Sequence, residues 1–568
     1  MENQKIAKIF SETSDILEIL GDSRFKIRAY RQASQTIETY PYHLRDIYED
    51  DPKKLDDIPG IGKALMGKII EIFETGDCRK HVDLVRKIKP GVLDILRLRG
   101  IGPKKTKLFL DELGIDSVVK LKDAAKRGLL RELPGMGEKS EDDVLLAIES
   151  YGRLTARMPM YQALSIAEGI IDYLKVNKKV KKATYAGSLR RRLETIGDID
   201  ILACGSPKII GDFCDMPGVA HVEAKGDTKA TVILESGIQV DLRVVPEESF
   251  GAALYYFTGS KAHNIATRKI AQKKGMKINE YGVFKGKKSV AGKTEDEIFK
   301  KIGLPYIIPE MREDTGEIEF MKKNPRFKPL EESDIQGDLH SHTDWSDGKS
   351  SLAEMAEAAQ ARGYKYLAIT DHSQSVKVAH GMEVPRLEKQ LLEIDKLNKG
   401  FKGFRLLKGC EVDILKDGSL DMPDSILEKL DIVVASVHTY FQLPEKEQTT
   451  RIIKAIQNPF VTLLAHPTGK LTGMREAYDV DLLKVMRAAK KAQVAIELNC
   501  NPFRLDLDTK HLRAARDMGV MVSLGTDSHS ASHLEFIEYG IAMAHRGWLQ
   551  PENILNCQKC IDFIRKNH

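Results

Sequence analysis

Through roughly the first eighty positions, apolar residues recur every three or four places. IAKIF, DILEIL and KIRAYRQASQTIETY each carry a hydrophobic stripe at helical spacing and predict short amphipathic helices. One phrase then comes three times: IPGIGKALMGKI at 58–69, LRGIGPKKTKLFL at 98–110 and LPGMGEKSEDDVLLAI at 133–148. Each is an apolar residue, a Gly-x-Gly turn and a helix that opens on charged residues. From about 156 to 250 the pattern changes to strands alternating with helices, and 251–313 is mixed. The stretch DTGEIEFMKKNPRFKPLEESD is charged, holds two prolines and lacks periodicity, which predicts a linker. Beyond it, apolar strand-like runs alternate with helical stretches, the pattern of a barrel of βα units.

A chain of 568 residues exceeds a single core and predicts three or four domains. The expected divisions are a helical domain at 1–80, a second helical domain at 81–155, mixed domains at 156–250 and 251–313, the linker at 314–335 and the barrel at 336–568. An apolar content of 42% with 30% charged residues excludes wholesale disorder. The net charge of +5 is unevenly spread: residues 1–335 hold 58 Lys+Arg against 52 Asp+Glu, and 336–568 hold 30 against 31. Between Lys63 and Lys107 there are 12 basic and 5 acidic residues, around two of the glycine turns. That suits a polyanion, although a solvated basic face has the same composition. The N-terminus lacks a signal layout and no apolar run reaches membrane length, so a cytoplasmic protein is expected. Seven scattered cysteines predict reduced thiols; Cys557 and Cys560 form a CxxC pair without a second pair to complete a zinc site.

The three Gly-x-Gly phrases have the layout of helix–hairpin–helix motifs. Glycines admit a phosphate close to the backbone, and the following helix N-terminus offers unpaired N–H groups. Gly60, Gly62, Lys63, Gly100, Gly102, Lys104, Gly135 and Gly137 are therefore candidate DNA-backbone contacts. One copy is also a plain turn; three with interspersed lysines favour sequence-independent binding.

In GDIDIL, Asp198 and Asp200 alternate with Ile199 and Ile201, and on a strand both carboxylates share one face. IQVDLRVV places Asp241 on a polar face with Gln239 and Arg243. Three converging carboxylates call for divalent cations, and two Mg²⁺ ions suit phosphoryl transfer, with Mn²⁺ as the alternative.

The context, AGSLRRRLETIGDID followed by YYFTGSKAHNIATRKIAQKKGMKINEYGVF, closely resembles the palm and thumb of the polymerase-beta-like family X DNA polymerases. FKIRAYRQAS and PGIGKALMGKI extend the likeness over about 1–313. The resemblance implies that Asp198 and Asp200 bind both metals and that Asp241 serves the catalytic one. It implies triphosphate contacts at Ser188, Arg191 and Gly197, a sugar-screening segment at Tyr256, Phe257 and Gly259, and nucleotide or template contacts at Asn264 and Arg268. Lys68 aligns with a Schiff-base lysine, equally able to hold a 5′-phosphate, and Lys26 and Tyr30 with phosphate-side positions. Ile196, Lys261 and Gln239 depart from the family pattern, where Ser, Asp and Arg are expected.

Eleven of the fifteen histidines follow residue 335. DLHSH, YLAITDHS, LLKGCEVDI, DIVVASVHTY, VTLLAHPT and VSLGTDSHS are each an apolar strand ended by His, Asp or Glu. In a βα barrel such ends open onto one catalytic face. Satisfied core histidines would explain one or two of them, not six. The set resembles the PHP phosphoesterases, a (β/α)7 barrel with three metals. By that resemblance His340, His342, Glu411 and Asp527 hold one ion, Asp347, His372 and His529 a second, and Glu411 shares a third with His438 and His466. Mixed imidazole and carboxylate donors suit Mn²⁺, Zn²⁺ or Fe²⁺. His380 and His533 are given no role.

The expected fold is multidomain α+β and α/β: helix–hairpin–helix domains, palm and thumb, and a PHP barrel. The order resembles the PolX enzymes of bacteria and archaea. It implies a DNA-directed DNA polymerase filling gaps in base excision repair, with a 3′–5′ exonuclease and an optional abasic-site endonuclease. Gapped or nicked DNA and dNTPs are the expected partners of a monomer. Two rivals are a small-molecule phosphatase, such as a histidinol phosphatase, and a noncatalytic DNA-binding scaffold.

Overall fold

The computed structural model describes residues 3–39, 44–58, 60–96, 98, 100–154, 157–176, 180–472 and 474–559. The chain divides into two compact units: 1–158, 167–188 and 197–303 form the first, and 159–166, 189–196 and 304–568 the second.

The first unit opens on helices Asn3–Ile19, Arg24–Thr39, Leu44–Asp50, Lys63–Thr75 and Arg79–Val85. Their apolar stripes meet in one core that includes Phe10, Leu17, Ile37, Leu65, Ile69 and Ile72. A second core, with Ile95, Phe109, Leu121, Leu130 and Val144, joins helices Pro90–Leu96, Pro103–Leu113, Val118–Lys126 and Glu138–Leu154. The hairpin turns are built on Gly60, Gly100 and Gly135, at φ of +84°, +74° and +76°, where a side chain would strain the backbone. Helices begin directly after the second glycine of each turn, at Lys63, Pro103 and Glu138.

Next comes a five-stranded sheet of β1 (Val180–Tyr185), β2 (Asp198–Gly205), β3 (Val219–Lys225), β4 (Lys229–Leu234) and β5 (Gln239–Val245), in the order β1-β2-β5-β4-β3. Strands β2 and β5 are parallel neighbours, and the other pairs are antiparallel. Helices Phe250–Thr258 and Lys261–Lys273 follow. A small antiparallel sheet of β6 (Lys277–Asn279), β7 (Gly282–Lys285) and β8 (Lys288–Ala291) comes after them.

The second unit is a seven-stranded parallel sheet in sequential order: β9 (Gly337–Asp338), β10 (Tyr366–Ile369), β11 (Arg405–Asp413), β12 (Ile432–Ser436), β13 (Leu463–Leu464), β14 (Ala495–Asn499) and β15 (Val522–Gly525). Beyond the last strand the ring closes. His342 N donates to Ser528 O at 2.7 Å and Asp527 N to His340 O at 3.0 Å. Runs such as IVVAS and AIELN are buried at every position, as a parallel sheet covered on both faces demands.

The stretch expected to be a linker is ordered structure. Helix Glu317–Lys323 buries Glu317, Ile318 and Met321. Phe320 lies 4.9 Å from the Trp548 ring, with the Arg516 guanidinium 4.8 Å from the Phe320 centroid. The helix is too short to show periodicity, and its charged face masks a small apolar contact. Cys560 lies outside the described residues; burial pushes the Cys557 thiol up to about 12, unlike a thiolate ligand. Among the described residues no helix is long and apolar enough to cross a membrane.

Candidate active sites

In the five-stranded sheet, backbone register does the positioning. Asp200 pairs with Asp241 and Asp198 with Gln239 across β2 and β5. Ile199, Ile201, Val240 and Leu242 fill the buried face, so all three carboxylates take the opposite one. Asp241 is held on three sides: Thr231 Oγ1 donates at 2.5 Å, Gln239 Nε2 at 2.7 Å, and Lys229 Nζ lies 3.3 Å away. Gln239 thus touches the carboxylate that the resemblance makes catalytic. Gly187 sits at φ +57° against Asp200, and a Cβ there would lie 2.0 Å from Oδ2. Only glycine leaves that carboxylate in place.

Of the other expected contacts, Ser188 and Gly197 both precede the carboxylates in sequence. Arg191, in the second unit, is paired through Nε with Glu313 at 2.9 Å, and Arg546 shares that carboxylate at 3.3 Å. Ile196 is fully buried. The segment Tyr256–Gly259 and the helix after it form one cluster. Asn264 Nδ2 donates to Tyr256 O at 2.8 Å, and the Arg268 guanidinium lies 5.2 Å from the Tyr256 ring. Asn264 Oδ1 and Arg268 Nε are buried without a hydrogen-bond partner.

Among the hairpins, a Cβ at Gly62, Gly102 or Gly137 would meet nothing within 4 Å, so these turns stand open to a ligand. Lys63 and Lys104 are exposed at the starts of their helices. The third copy differs: Glu138 and Glu141 occupy its first helical turn, and Glu141 accepts from Leu130 N and Arg131 N at 3.0 and 3.1 Å. Acidic groups there disfavour an anion. Lys68 is half-buried, Lys26 pairs with Asp22 at 3.1 Å, and Tyr30 packs edge-on against Phe10 inside the core.

At the barrel mouth the strand ends converge on Glu411. Its Oε2 lies 3.4 Å from His340 Nε2, 3.5 Å from His342 Nε2 and 2.9 Å from His372 Nδ1. Its Oε1 lies 3.4 Å from His438 Nε2 and 2.9 Å from His466 Nε2. Asp527 is 3.2 Å from His342, and Asp347 is 3.6 and 3.3 Å from His372 and His529. Three groups have donor atoms within 4.8 Å of one another: His342, Asp347, His372 and His529; His340, His342 and Asp527; His372, Glu411 and His438. Relative to the expected partition, His342 and His372 are each shared by two groups, and Glu411 falls only in the group with His372 and His438. Eight of the nine expected residues fall in these groups, and His466 stands outside them, 2.9 Å from Glu411.

The donors fit divalent cations. His340 Nε2, both His342 nitrogens and Glu411 Oε2 are buried with no hydrogen-bond partner, an arrangement that is costly for ordinary core residues. Burial opposes the charge on Glu411, yet His372, His438 and His340 hold its carboxyl well below the usual range. Burial, helped by His372 and His529, pushes His342 down to about 3, which keeps its lone pair available. The cluster calls for positive charge, and a divalent ion supplies it without protonating the ring nitrogens.

Sequence reading missed the groups behind these donors. Glu497, in the middle of β14, receives His340 Nδ1 at 2.6 Å on one oxygen and His466 N at 2.7 Å on the other. Asp413 lies 3.4 Å from His438 Nδ1 and accepts from its backbone N–H at 3.0 Å. Arg504 Nε donates to Asp527 at 3.0 Å. The one signal was a glutamate inside the apolar run VAIELNC. His533 stands behind His529, its Nδ1 accepting from His529 N at 3.3 Å.

Family models match along the chain in the same order. They are a helix-hairpin-helix domain at 1–78, a SAM-like helix-hairpin-helix tandem at 92–150, a DNA polymerase beta thumb at 253–313 and a PHP domain at 338–501. A protein of Bacillus subtilis (strain 168) named DNA polymerase/3′-5′ exonuclease PolX is 39% identical over 576 residues, covering all of both chains. The barrel alone is similar to two proteins named probable phosphatase. One, from Thermoanaerobacter sp. (strain X514), is 30% identical over 39% of this chain and 89% of its own. The other, from Acetivibrio thermocellus, is 34% identical over 34% of this chain and 78% of its own. A barrel shared with phosphatases does not separate the two groups, whereas likeness from end to end does: the chain belongs to the PolX family of DNA polymerases and 3′-5′ exonucleases.

Proposed function

We propose that this chain fills short gaps in DNA during base excision repair and trims 3′ ends at a second, separate site. The observation that carries the reading is Glu411, with five imidazoles disposed about its two oxygens and unpartnered donors buried around it. Divalent metal ions serve both sites. Mg²⁺, or Mn²⁺, would be held by Asp198, Asp200 and Asp241; Mn²⁺, Zn²⁺ or Fe²⁺ would be held at the barrel by the nine residues named above. When bound, such ions polarise phosphoryl oxygens and acidify water.

The chain's own groups do the rest. Thr231, Gln239 and Lys229 fix the Asp241 carboxylate beside Asp200. Ser188, Arg191 and Gly197 take the triphosphate, Tyr256, Phe257 and Gly259 bound the sugar, and Asn264 and Arg268 reach the nucleotide and template. Hairpin glycines with Lys63 and Lys104 grip backbone phosphates, and Lys68 holds a 5′-phosphate or performs lyase chemistry. At the barrel, hydrolysis breaks the P–O3′ bond. Water gives its OH to phosphorus and its proton to the leaving oxygen, so the shortened strand ends in the 3′-hydroxyl that the polymerase extends.

The likeness of the barrel to proteins named probable phosphatase supports a second reading, a phosphomonoesterase. A 3′-labelled strand decides between them. The purified chain degrades it from the 3′ end with Mn²⁺ and stops on chelation; release of phosphate from small monoesters with an intact strand would overturn the nuclease reading.

A further inference from the structure

The loops that leave β11 and β12 carry one feature the chemistry above does not use. Tyr440, two residues beyond His438, stands in the left-handed region at φ +57° and is 54% exposed. A bulky non-glycine residue rarely adopts such a conformation. The loop keeps an aromatic ring there regardless, on the segment that brings His438 to 3.4 Å from Glu411.

The ring has a rigid base. Arg451, nearly fully buried, donates to Leu415 O at 2.8 Å and to Thr439 O at 3.0 Å, so it ties the loop after β11 to the loop after β12. Its guanidinium lies 5.7 Å from the Tyr440 centroid. The next residue, Phe441, is clamped between Arg475, 4.0 Å away, and the Tyr478 ring, 6.1 Å away. Lys416, exposed on the neighbouring loop, brings its ammonium within 5.6 Å of the Tyr440 ring. Asp417 beside it is occupied by Ser419 and by Lys454 at 3.5 Å. An exposed, braced aromatic with an adjacent cation is the pairing that binds a base face and its phosphate in single strands.

We propose that Tyr440 and Lys416 form the subsite that selects a single-stranded nucleic acid end. A base next to the scissile phosphodiester stacks on Tyr440, and the adjoining phosphate meets Lys416. A small phosphate ester needs neither group, and the bases of a duplex are already stacked on one another. The inference rests on the nuclease reading of the barrel and assigns the residues that read the strand.

The test uses the full chain with Mn²⁺ on three substrates: a 3′-labelled single strand, the same strand in a blunt duplex, and bis(p-nitrophenyl) phosphate. Wild type prefers the single strand to the duplex. In Tyr440→Ala the ratio of kcat/KM on the single strand to that on the small diester falls between roughly fivefold and hundredfold, mainly through KM. Tyr440→Phe restores it. Lys416→Ala lowers the slope of log kcat/KM against log salt by about 0.7. An unaltered ratio in Tyr440→Ala, a parallel loss on strand and diester, or equal wild-type rates on strand and duplex overturns the subsite alone. A wild type that hydrolyses the diester and leaves both DNAs intact overturns the nuclease reading along with it.

Discussion

Replacing Glu497 with alanine removes one carboxylate that serves two metal-facing histidines at once. In the native barrel its oxygens receive His340 Nδ1 at 2.6 Å, His466 N at 2.7 Å and Asn499 Nδ2 at 3.1 Å, all fully or almost fully buried. The contact to Nδ1 leaves His340 Nε2 facing Glu411 and Asp527, and the backbone contact holds the start of the His466 loop. Asn499 Nδ2 keeps its bond to Asp527 at 3.2 Å, so two buried donors lose their acceptor at about 1–3 kcal/mol each and the metal-free barrel loses about 2–6 kcal/mol. Loss of such an outer carboxylate lowers metal affinity by about 10–100-fold. Glu497→Gln keeps the shape and one acceptor oxygen but turns an NH₂ toward the second donor, and falls between. The assay is exonuclease rate against free Mn²⁺, with metal content after gel filtration and thermal unfolding of the metal-free protein. The alanine variant should need 10- to 100-fold more Mn²⁺. Gly525→Ala should share the defect, because its Cβ would lie 2.0 Å from Glu497 Oε1. An unshifted Mn²⁺ curve with wild-type metal content in Glu497→Ala would refute the reasoning.

Three further outcomes are expected. Gly187→Ala, by driving Asp200 aside, should slow nucleotide addition by about 100-fold or more in single-turnover extension while 3′-end degradation continues. Lys63→Ala with Lys104→Ala should flatten the slope of log DNA affinity against log salt by roughly two phosphate contacts, measured by anisotropy, with no change in sequence preference. Glu141→Ala should cost about 2–3 kcal/mol in the second helical domain, since it strands Leu130 N and Arg131 N; faster amide exchange in Glu138–Leu154 is the readout, and unchanged exchange would contradict it.

What could be read in advance was whatever depends on position along the chain. Alternation in GDIDIL and IQVDLRVV is a local property, and it put Asp198, Asp200 and Asp241 on one face before their register was known. Donors at the ends of apolar runs followed from strand polarity in the same way. Groups defined by a partner through space were invisible. Glu497, Asp413 and Arg504 read as ordinary charges until folding set them against His340, His438 and Asp527. The third hairpin looked like the first two because its glycines match, while the decisive difference is where Glu141 spends its hydrogen bonds. The contact of Arg191 with Glu313 likewise joins residues 122 positions apart. Helix Glu317–Lys323 was lost among charges because seven residues are too few for a period to emerge.

The central claim is that two independent active sites lie on one chain, and a one-nucleotide-gapped duplex labelled on the primer tests it most directly. Asp198→Ala/Asp200→Ala and Glu411→Ala are compared with wild type in Mg²⁺ and Mn²⁺, with and without dNTPs. The account predicts a crossed result: the aspartate variant shortens the primer and never extends it, and the glutamate variant extends it and never shortens it. Extension by the aspartate variant, shortening by the glutamate variant, or loss of both reactions from either change would contradict it.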